Sequence, residues 1–195
     1  MIRVETLSGE AVVPYLPALA RLRGEVFAEW PYLYQADPAQ DAGHLRAYAE
    51  GEGAAIVVAL DGEEAVGVST CQPMRLASAS VQEAFTRAGR DPAAHMYFGE
   101  SVLQRPYRGQ GIGVAFLAAR EAQTRATGHR TAAFCAVDRA ADDPRRPPGH
   151  VPLDAFWRRR GYTHHPELFS EFTWREIGGA SPVPHRLSFW LKDVA

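Results

Sequence analysis

The 195-residue sequence predicts an α/β fold with a mixed sheet. Two kinds of segment follow one another along the chain. In one kind, apolar residues alternate with polar ones or form short runs, as in strands, and in the other they recur at helical spacing. Apolar residues make up 46% and charged residues 23%, which is typical of a globular protein and argues against a disordered or fibrous chain. This length fits about one domain, and no change in composition marks a boundary. We therefore expect a single domain over residues 1–195.

The strands are predicted from two kinds of pattern. At the N-terminus, apolar residues alternate with charged ones, which indicates an edge strand. The run of apolar residues at 54–60 ends at Asp61-Gly62, a turn signal that predicts a hairpin. The predicted strands are 2–6, 54–60, 65–72, 95–103, 131–137, about 168–175 and about 186–193.

The helices are predicted from apolar spacing and from their ends. Pro17 can occupy the first turn of the first helix, and glycines follow the second, third and fourth helices. The predicted helices are 12–27, 39–50, 80–88, 111–127 and 153–160. Two connections stand out, an aromatic segment bracketed by prolines at 29–38 and a polar, Pro- and Arg-rich loop at 138–152. A loop of that second length often has a function.

Several function classes are disfavoured by composition. A net charge of −2 argues against general nucleic-acid binding. The apolar run at 54–60 is far shorter than the roughly 18 residues of a membrane span, and the N-terminus lacks a signal-peptide pattern, so we expect a cytoplasmic protein without membrane contact. Cys71 and Cys135 lie in apolar segments, which indicates buried, reduced thiols. The histidines show no ligand spacing, and we expect no metal.

The chemistry is predicted from the segment that follows the strand at 95–103. A glycine-rich turn, Arg108-Gly109-Gln110-Gly111-Ile112-Gly113, leads directly into an amphipathic helix. Glycines leave backbone N–H groups accessible, and the first turn of a helix carries unpaired donors and a partial positive charge. With the charge of Arg108, this arrangement predicts an anion site suited to a pyrophosphate. The alternative is a glycine-rich turn that merely starts a helix.

Two nucleotide-binding motifs do not fit this segment. Phe116 stands where a G-x-G-x-x-G motif requires a small residue, so a dinucleotide-binding fold is disfavoured. The sequence also lacks G-x-x-x-x-G-K-[ST], which excludes a P-loop.

The turn resembles the R/Q-x-x-G-x-G/A signature of the GNAT superfamily of N-acetyltransferases. Downstream, Phe156-Trp157-Arg158-Arg159-Arg160-Gly161-Tyr162 resembles the second block of that family, F-Y-x-x-x-G-F/Y. The resemblance covers about residues 54–175, and the two helices before it fit the family's N-terminal part. It implies a GNAT-like fold, with a mixed, mostly antiparallel twisted sheet flanked by helices.

The resemblance implies an acyl-CoA-dependent transferase that uses acetyl-CoA. The segment from Arg108 to Gly113, with Gly109, Gln110, Gly111 and Ile112 between them, would hold the pyrophosphate. Val102 and Leu103, at a strand end that splays from its neighbour, would pair with the pantetheine arm. A backbone N–H near Leu103 would polarise the thioester carbonyl. A primary amine, on a small molecule or a peptide, would attack the thioester directly in a ternary complex, without a covalent enzyme intermediate.

Proton transfer needs further residues. Glu100 lies among apolar residues, and alternation places it on one face with Phe98 and Val102, so it is either the base that deprotonates the amine or a structural ion-pair partner. The family's usual acid is a tyrosine where this chain has Trp157, whose indole N–H cannot deliver a proton. Candidate substitutes, which include one loop histidine, are Tyr107, Tyr162 and His150.

In the family, the acceptor binds between the first two helices and the late loops. In this chain that region contains carboxylates and aromatic rings, namely Glu29, Trp30, Tyr32, Tyr34 and Asp37. These residues either bind a cationic amine or pack together as a loop braced by prolines. His150 is a further candidate contact. Two other functions stay open, a catalytically silent acyl-CoA-binding or sensing module and an oligomeric scaffold with a vestigial anion site. A homodimer is compatible with each of these functions.

Overall fold

The computed structural model describes residues 2–195, apart from the side chains of residues 38–42 and 44. This part of the chain contains eight strands and five α-helices. The strands are β1 (Ile2–Leu7), β2 (Ala55–Asp61), β3 (Glu64–Pro73), β4 (His95–Tyr97), β5 (Ser101–Leu103), β6 (Thr131–Val137), β7 (Thr163–Trp174) and β8 (Val183–Asp193). The helices are α1 (Leu16–Phe27), α2 (Pro38–Glu50), α3 (Ala79–Arg87), α4 (Ile112–Ala126) and α5 (Asp154–Arg159).

The described strands form one mixed sheet in the order β1-β2-β3-β4-β6-β8-β7, and β5 also pairs with β3. The pairing of β4 with β6 is parallel, and the other pairings are antiparallel. The N-terminal strand lies at an edge of the sheet, as its alternating pattern predicts. The predicted fold class, a mixed and mostly antiparallel sheet flanked by helices, is confirmed.

The helices cover both faces of the sheet. Leu19 and Leu22 of α1 pack with Ile56 of β2 in a cluster that also includes residues of α2. The adjacent Val57 points to the opposite face, where it packs with Phe116 of α4. The apolar residues of α3 pack with Tyr97 and Phe189. The adjacent Phe98 and Trp190 point to the opposite face, where α5 packs beside α4, so α3 lies on the same face as α1. The interior strand β2 is therefore buried on both faces, which explains its unbroken apolar run.

Two predicted elements have different bounds in the structure. The segment predicted as a helix at 12–27 is a 3₁₀ helix over Gly9–Tyr15 followed by α1, because Pro14 has no N–H to continue α-helical hydrogen bonding. Pro17 lies in the first turn of α1, as predicted. Strand β7 begins at Thr163, earlier than predicted, with an irregularity between His165 and Phe169. The first residues of β7 are polar because β7 is an edge strand, and an edge strand can be exposed to solvent without the alternation of apolar residues that predicts a strand.

The predicted strand at 95–103 is interrupted by a β-bulge, in which Gly99 and Glu100 both lie opposite Thr70. The Gly99 N–H donates to the Thr70 carbonyl (3.2 Å), and the Glu100 N–H donates to Thr70 Oγ1 (2.9 Å). The Thr70 N–H in turn donates to the Glu100 carbonyl (3.0 Å). Two residues opposite one define a bulge, and it separates β4 from β5. A Cβ on Gly99 would lie 2.0 Å from Tyr48 Oη, so glycine is required there.

The bulge corrects one prediction about the faces of this strand. Phe98 packs with Leu117 of α4, whereas Val102 packs with Leu19 of α1 on the opposite face. Glu100 lies on the α1 side, paired with Arg23. The expectation that Phe98, Glu100 and Val102 share a face is therefore wrong for Phe98, because the extra residue of the bulge shifts the alternation.

Candidate active site

Two neighbouring strands separate at the centre of the sheet. Residues His95–Tyr97 of β4 pair with residues Thr131–Ala133 of β6, and the Phe98 N–H donates to the Ala133 carbonyl (2.8 Å). Beyond that point, in the described part of the chain, β5 pairs with β3 and β6 pairs with β8. A gap therefore opens between β5 and the second half of β6.

The edge of β5 that faces the gap carries backbone N–H groups that do not pair with β3. The Gln104 N–H donates to the Val66 carbonyl (3.1 Å), and the Glu100 carbonyl accepts from Thr70, so these residues direct their backbone toward β3. Because this direction alternates along an antiparallel strand, the N–H groups of Ser101 and Leu103 point into the gap. Val102, which the sequence analysis includes in the cofactor site, directs its backbone toward β3 instead.

The glycine-rich turn at 108–113, which we call the amide cradle, follows β5 after a 3₁₀ turn at Arg105–Tyr107 and leads into α4. Gly109 and Gly111 have φ angles of 78° and 85°, a region that favours glycine, and a Cβ on either would meet no atom within 4 Å. Helix α4 begins at Ile112, and the Gly111 carbonyl accepts from the N–H groups of Val114 (3.0 Å) and Ala115 (3.1 Å). The N–H groups of Ile112 and Gly113 therefore have no partner within the helix. Such a cradle suits an anion of pyrophosphate size.

The Arg108 side chain links the cradle to two other elements. Its Nε donates to the Leu103 carbonyl (3.0 Å), while Nη1 and Nη2 donate to the two carboxylate oxygens of Glu29 (3.0 and 3.2 Å). Arg105 Nε lies 3.0 Å from the same carboxylate. Partial burial raises the pKa of Glu29, but hydrogen bonds from Arg108 and Arg105 outweigh it and hold that pKa below its ordinary value.

Glu100 forms a buried ion pair at the bulge. Its side chain is 7% exposed, and Oε1 lies 2.7 Å from Nε of Arg23 on α1. The Arg23 guanidinium lies over the Tyr34 ring, 4.9 Å from the centroid. Arg120 Nη1 is 3.4 Å from the Glu100 carbonyl. Sequence reasoning missed Arg23, because a charged residue beside an apolar one is ordinary in an amphipathic helix and does not predict a buried partner.

Buried hydroxyl and thiol groups lie near this ion pair. Tyr97 Oη is 3.4 Å from Cys135 Sγ, and burial raises the pKa of Cys135 to about 12. Burial also raises the pKa values of Tyr32, Tyr48 and Tyr97. Both cysteines are free, Cys71 buried and Cys135 half-buried, and burial raises the pKa of Cys71 to about 11. The thiols are therefore protonated at neutral pH. Cys71 is buried as predicted, whereas Cys135 is only half-buried.

The aromatic loop, which we define as residues 28–36, is fixed by backbone contacts with late parts of the chain. Arg139 Nε donates to the Pro31 carbonyl (2.7 Å), and Trp174 Nε1 donates to the Tyr32 carbonyl (3.1 Å). The Ile177 N–H donates to the Leu33 carbonyl (2.8 Å). The loop after α1, the end of β6 and the turn between β7 and β8 thus meet at one end of the gap.

Glu176 connects the same elements electrostatically. Its carboxylate is 15% exposed and pairs with Arg139 (2.7 Å) and with Arg145 of the 138–152 loop. Desolvation raises the pKa of Glu176, but the two arginines have the larger combined effect and lower it below 4.5. Neither Arg139 nor Glu176 belongs to a motif, and their role depends on contacts between distant segments.

We expect Glu176→Gln to lower the free energy of unfolding at pH 7 by about 2 kcal/mol, because charge-assisted hydrogen bonds to two arginines are lost. A depressed folded-state pKa contributes stability above the unfolded value of 4.5, and that stability is lost as the pH falls through the folded value. Urea unfolding at pH 7 and pH 3 should therefore show a difference from wild type that shrinks at pH 3. Glu83→Gln, at an exposed site on α3, is the control, and equal losses in both variants would contradict the assignment.

The predicted acceptor residues do not form one open group. Glu29 binds the arginines of the cradle, while the Trp30 ring has Arg139 at 5.6 Å and the ring of His150 at 6.2 Å. Tyr32 packs against Phe27, with ring centroids 4.5 Å apart. The faces of Trp30 and Tyr34 thus carry the protein's own guanidinium groups. The assignment of these residues to the acceptor stays a prediction.

Trp157 and two of the predicted acid candidates, Tyr107 and Tyr162, contact other groups of the protein. The Trp157 ring packs 5.0 Å from the rings of Phe134 and Trp190. Tyr107 Oη donates to Asp61 (3.0 Å), and Tyr162 Oη donates to Glu121 (3.0 Å). Partial burial, together with the nearby charge of Arg146, lowers the pKa of His150 and so favours its neutral imidazole.

The described residues contain no group of three or more His, Cys, Asp or Glu side chains that could hold a metal ion, and His44 lies outside the description. Among these residues, no helix is both long enough and apolar enough to cross a bilayer.

The sequence matches no protein-family model and no curated protein sequence. Its structure is similar to a ribosomal-protein-alanine N-acetyltransferase from Brucella melitensis, with 16% identity, a TM-score of 0.62 and 99% of each chain covered. It is also similar to an N-acetyltransferase from Thermoplasma acidophilum in complex with coenzyme A, with 11% identity, a TM-score of 0.60 and 99% of each chain covered.

A third similar structure is an aminoglycoside 6′-N-acetyltransferase complexed with coenzyme A, with 13% identity and a TM-score of 0.62, covering 99% of this chain and 97% of that one. Similarity at identities this low concerns the fold.

Proposed function

Because the chain has the fold of the GNAT acetyltransferases, we propose that it transfers an acetyl group from acetyl-CoA to a primary amine on a small molecule or a peptide. One observation supports the proposal above all: the strand β5, whose edge faces the gap, is followed within a few residues by the amide cradle at the start of α4. In this proposal residues 1–195 form a single domain, whose cofactor core spans about residues 54–175. The fold neighbours that contain coenzyme A support the choice of cofactor.

The cradle is proposed to bind the pyrophosphate through backbone amides between Gly109 and Gly113, with the α4 dipole and Arg108 adding positive charge. The free edge of β5 offers the N–H groups of Ser101 and Leu103 to the pantetheine arm. A gap of this kind suits an extended amide chain, because the chain can take the place of a missing strand neighbour.

The acetyl thioester supplies an activated acyl group with a thiolate that leaves readily. The Leu103 N–H is proposed to donate to the thioester oxygen, since the Leu103 carbonyl is held by Arg108 and keeps the strand end in place. A preorganised donor at the developing oxyanion contributes about 3 kcal/mol to transition-state stabilisation. Glu100 is proposed to take the proton of the attacking amine, directly or through water.

No side chain is proposed as the acid. Trp157 packs in an aromatic cluster, and Tyr107 and Tyr162 donate to carboxylates, so departure of the thiolate relies on its own stability. The second candidate function, a catalytically silent acyl-CoA sensor, is favoured by Trp157 at the position where the family resemblance implies tyrosine. The acceptor is proposed to enter at the end of the gap beside the aromatic loop.

Calorimetry with coenzyme A tests the cofactor site, and an amine panel with acetyl-CoA tests transfer. The panel contains small monoamines and diamines, amino sugars and peptides with free amino termini, and free thiol is the readout. We expect binding, with about 2.7 kcal/mol of stabilisation at a ligand concentration of 100 Kd, and thiol release with at least one amine. Binding without turnover favours the sensor. If coenzyme A produces no heat and no Tm shift, both functions are overturned.

A further inference from the structure

We infer that Glu29 is a positioning residue that, through Arg108, connects the cofactor cradle to the aromatic loop. The inference rests on the proposed function, because it requires coenzyme A to bind at the cradle. It assigns Glu29 a role different from that of a ligand for the acceptor amine. It also gives the Arg108 side chain a second partner besides the cofactor phosphates.

The first step is the geometry of the connection. The Arg108 guanidinium is planar and holds two partners at once, the Leu103 carbonyl through Nε and the Glu29 carboxylate through both Nη atoms. Two parallel bonds to a carboxylate fix orientation as well as distance. Arg105 adds a third contact to Glu29 at 3.0 Å. The position of Glu29 is therefore tied to the end of β5, where the thioester is proposed to lie.

The second step concerns what Glu29 holds on its own side. It lies two residues beyond the end of α1, and its carbonyl accepts from the N–H groups of Tyr32 (3.1 Å) and Leu33 (3.0 Å). Leu33 has a φ of 53°, which is rare for a non-glycine residue and requires support from its surroundings. The same residue therefore organises the aromatic loop with its backbone and binds the cradle with its side chain.

The third step is the consequence for ligand binding. Coenzyme A bound at residues 109–113 would restrict the motion of the turn that carries Arg108. A restricted Arg108 restricts Glu29, and with it the loop where the acceptor is proposed to enter. Binding of the first substrate thus orders the surroundings of the second, a coupling that acts through reduced mobility. If a phosphate displaced Glu29 from Arg108 instead, the loop would become more mobile.

Hydrogen–deuterium exchange with and without coenzyme A tests the inference on the full chain. In wild type, we expect coenzyme A to slow exchange at residues 109–113 and to slow it about fivefold or more in the aromatic loop. In Glu29→Gln, protection at 109–113 should remain, while the effect on the loop falls below about twofold. Glu29→Asp, which keeps the charge but shortens the reach, should behave like Glu29→Gln.

The matched control is Glu25→Gln, one helical turn earlier. Glu25 pairs with Arg21 (2.8 Å) and accepts from Gln104 Nε2 (3.2 Å), so it lies near the cradle but binds different partners from those of Glu29. This variant should retain the wild-type response of the loop. Retained loop protection in Glu29→Gln, no loop protection in wild type, or faster loop exchange on binding would each overturn the inference. Absence of protection at 109–113 in wild type would instead point to failure of the proposed function, which the inference needs.

Discussion

Gly111→Val will weaken coenzyme A binding by a hundredfold or more, on the order of 3 kcal/mol, while the protein stays folded. Gly111 caps α4 with a φ of 85° and lies where the backbone amides turn toward the gap. A Cβ there would meet no atom of another part of the protein within 4 Å, so the valine side chain would extend into the open space proposed for the pyrophosphate. A β-branched residue in this positive-φ conformation also costs about 1–2 kcal/mol. If the backbone relaxed to a negative φ, the amides would turn away from the anion.

Gly128→Val separates these two effects. Gly128 follows the other end of α4 with a φ of 77°, and a Cβ there also meets no atom within 4 Å. Both variants should therefore lose similar stability in urea unfolding. Calorimetry should show loss of coenzyme A binding in Gly111→Val and wild-type affinity in Gly128→Val. Unchanged affinity in Gly111→Val would rule out the cradle as the pyrophosphate site.

Glu100→Gln will lower kcat at neutral pH by about a hundredfold while leaving the Kd of coenzyme A within about twofold. Glutamine keeps the size of the side chain but cannot take a proton. A base works in its deprotonated form, so the wild-type rate should rise with pH along an acidic limb, and this limb should disappear in the variant. The rate is measured with an amine that the panel identifies as an acceptor.

We also expect Glu100→Gln to lower the free energy of unfolding, because Glu100 forms a buried ion pair with Arg23. Glu121→Gln is the matched control, because Glu121 is 14% exposed and pairs with Lys192 at 2.9 Å. It should lose stability without losing the acidic limb of the pH profile. If Glu100→Gln keeps the wild-type pH profile, Glu100 has a structural role alone.

Local patterns were sufficient where one segment carries all the information. The glycine-rich turn needs backbone conformations that favour glycine at Gly109 and Gly111, and both residues have positive φ. The apolar run of β2 predicts a strand because both its faces are buried, and the helix after the turn begins within one residue of its predicted start. The sequence predicts a continuous strand at 95–103, because a bulge depends on the partner strand at Thr70 and gives no signal in its own segment.

The sequence by itself determined the class of fold, the order of its elements and the place of the amide cradle, because these depend on periodicity and on the conformational freedom of glycine within short segments. The tertiary structure decided the partners of the charged side chains: Glu100 with Arg23, Glu29 with Arg108, and Glu176 with Arg139. The residues of each pair lie far apart along the chain. No local spacing predicts which of many carboxylates and guanidinium groups will meet, since that depends on how the sheet and its loops bring distant segments together.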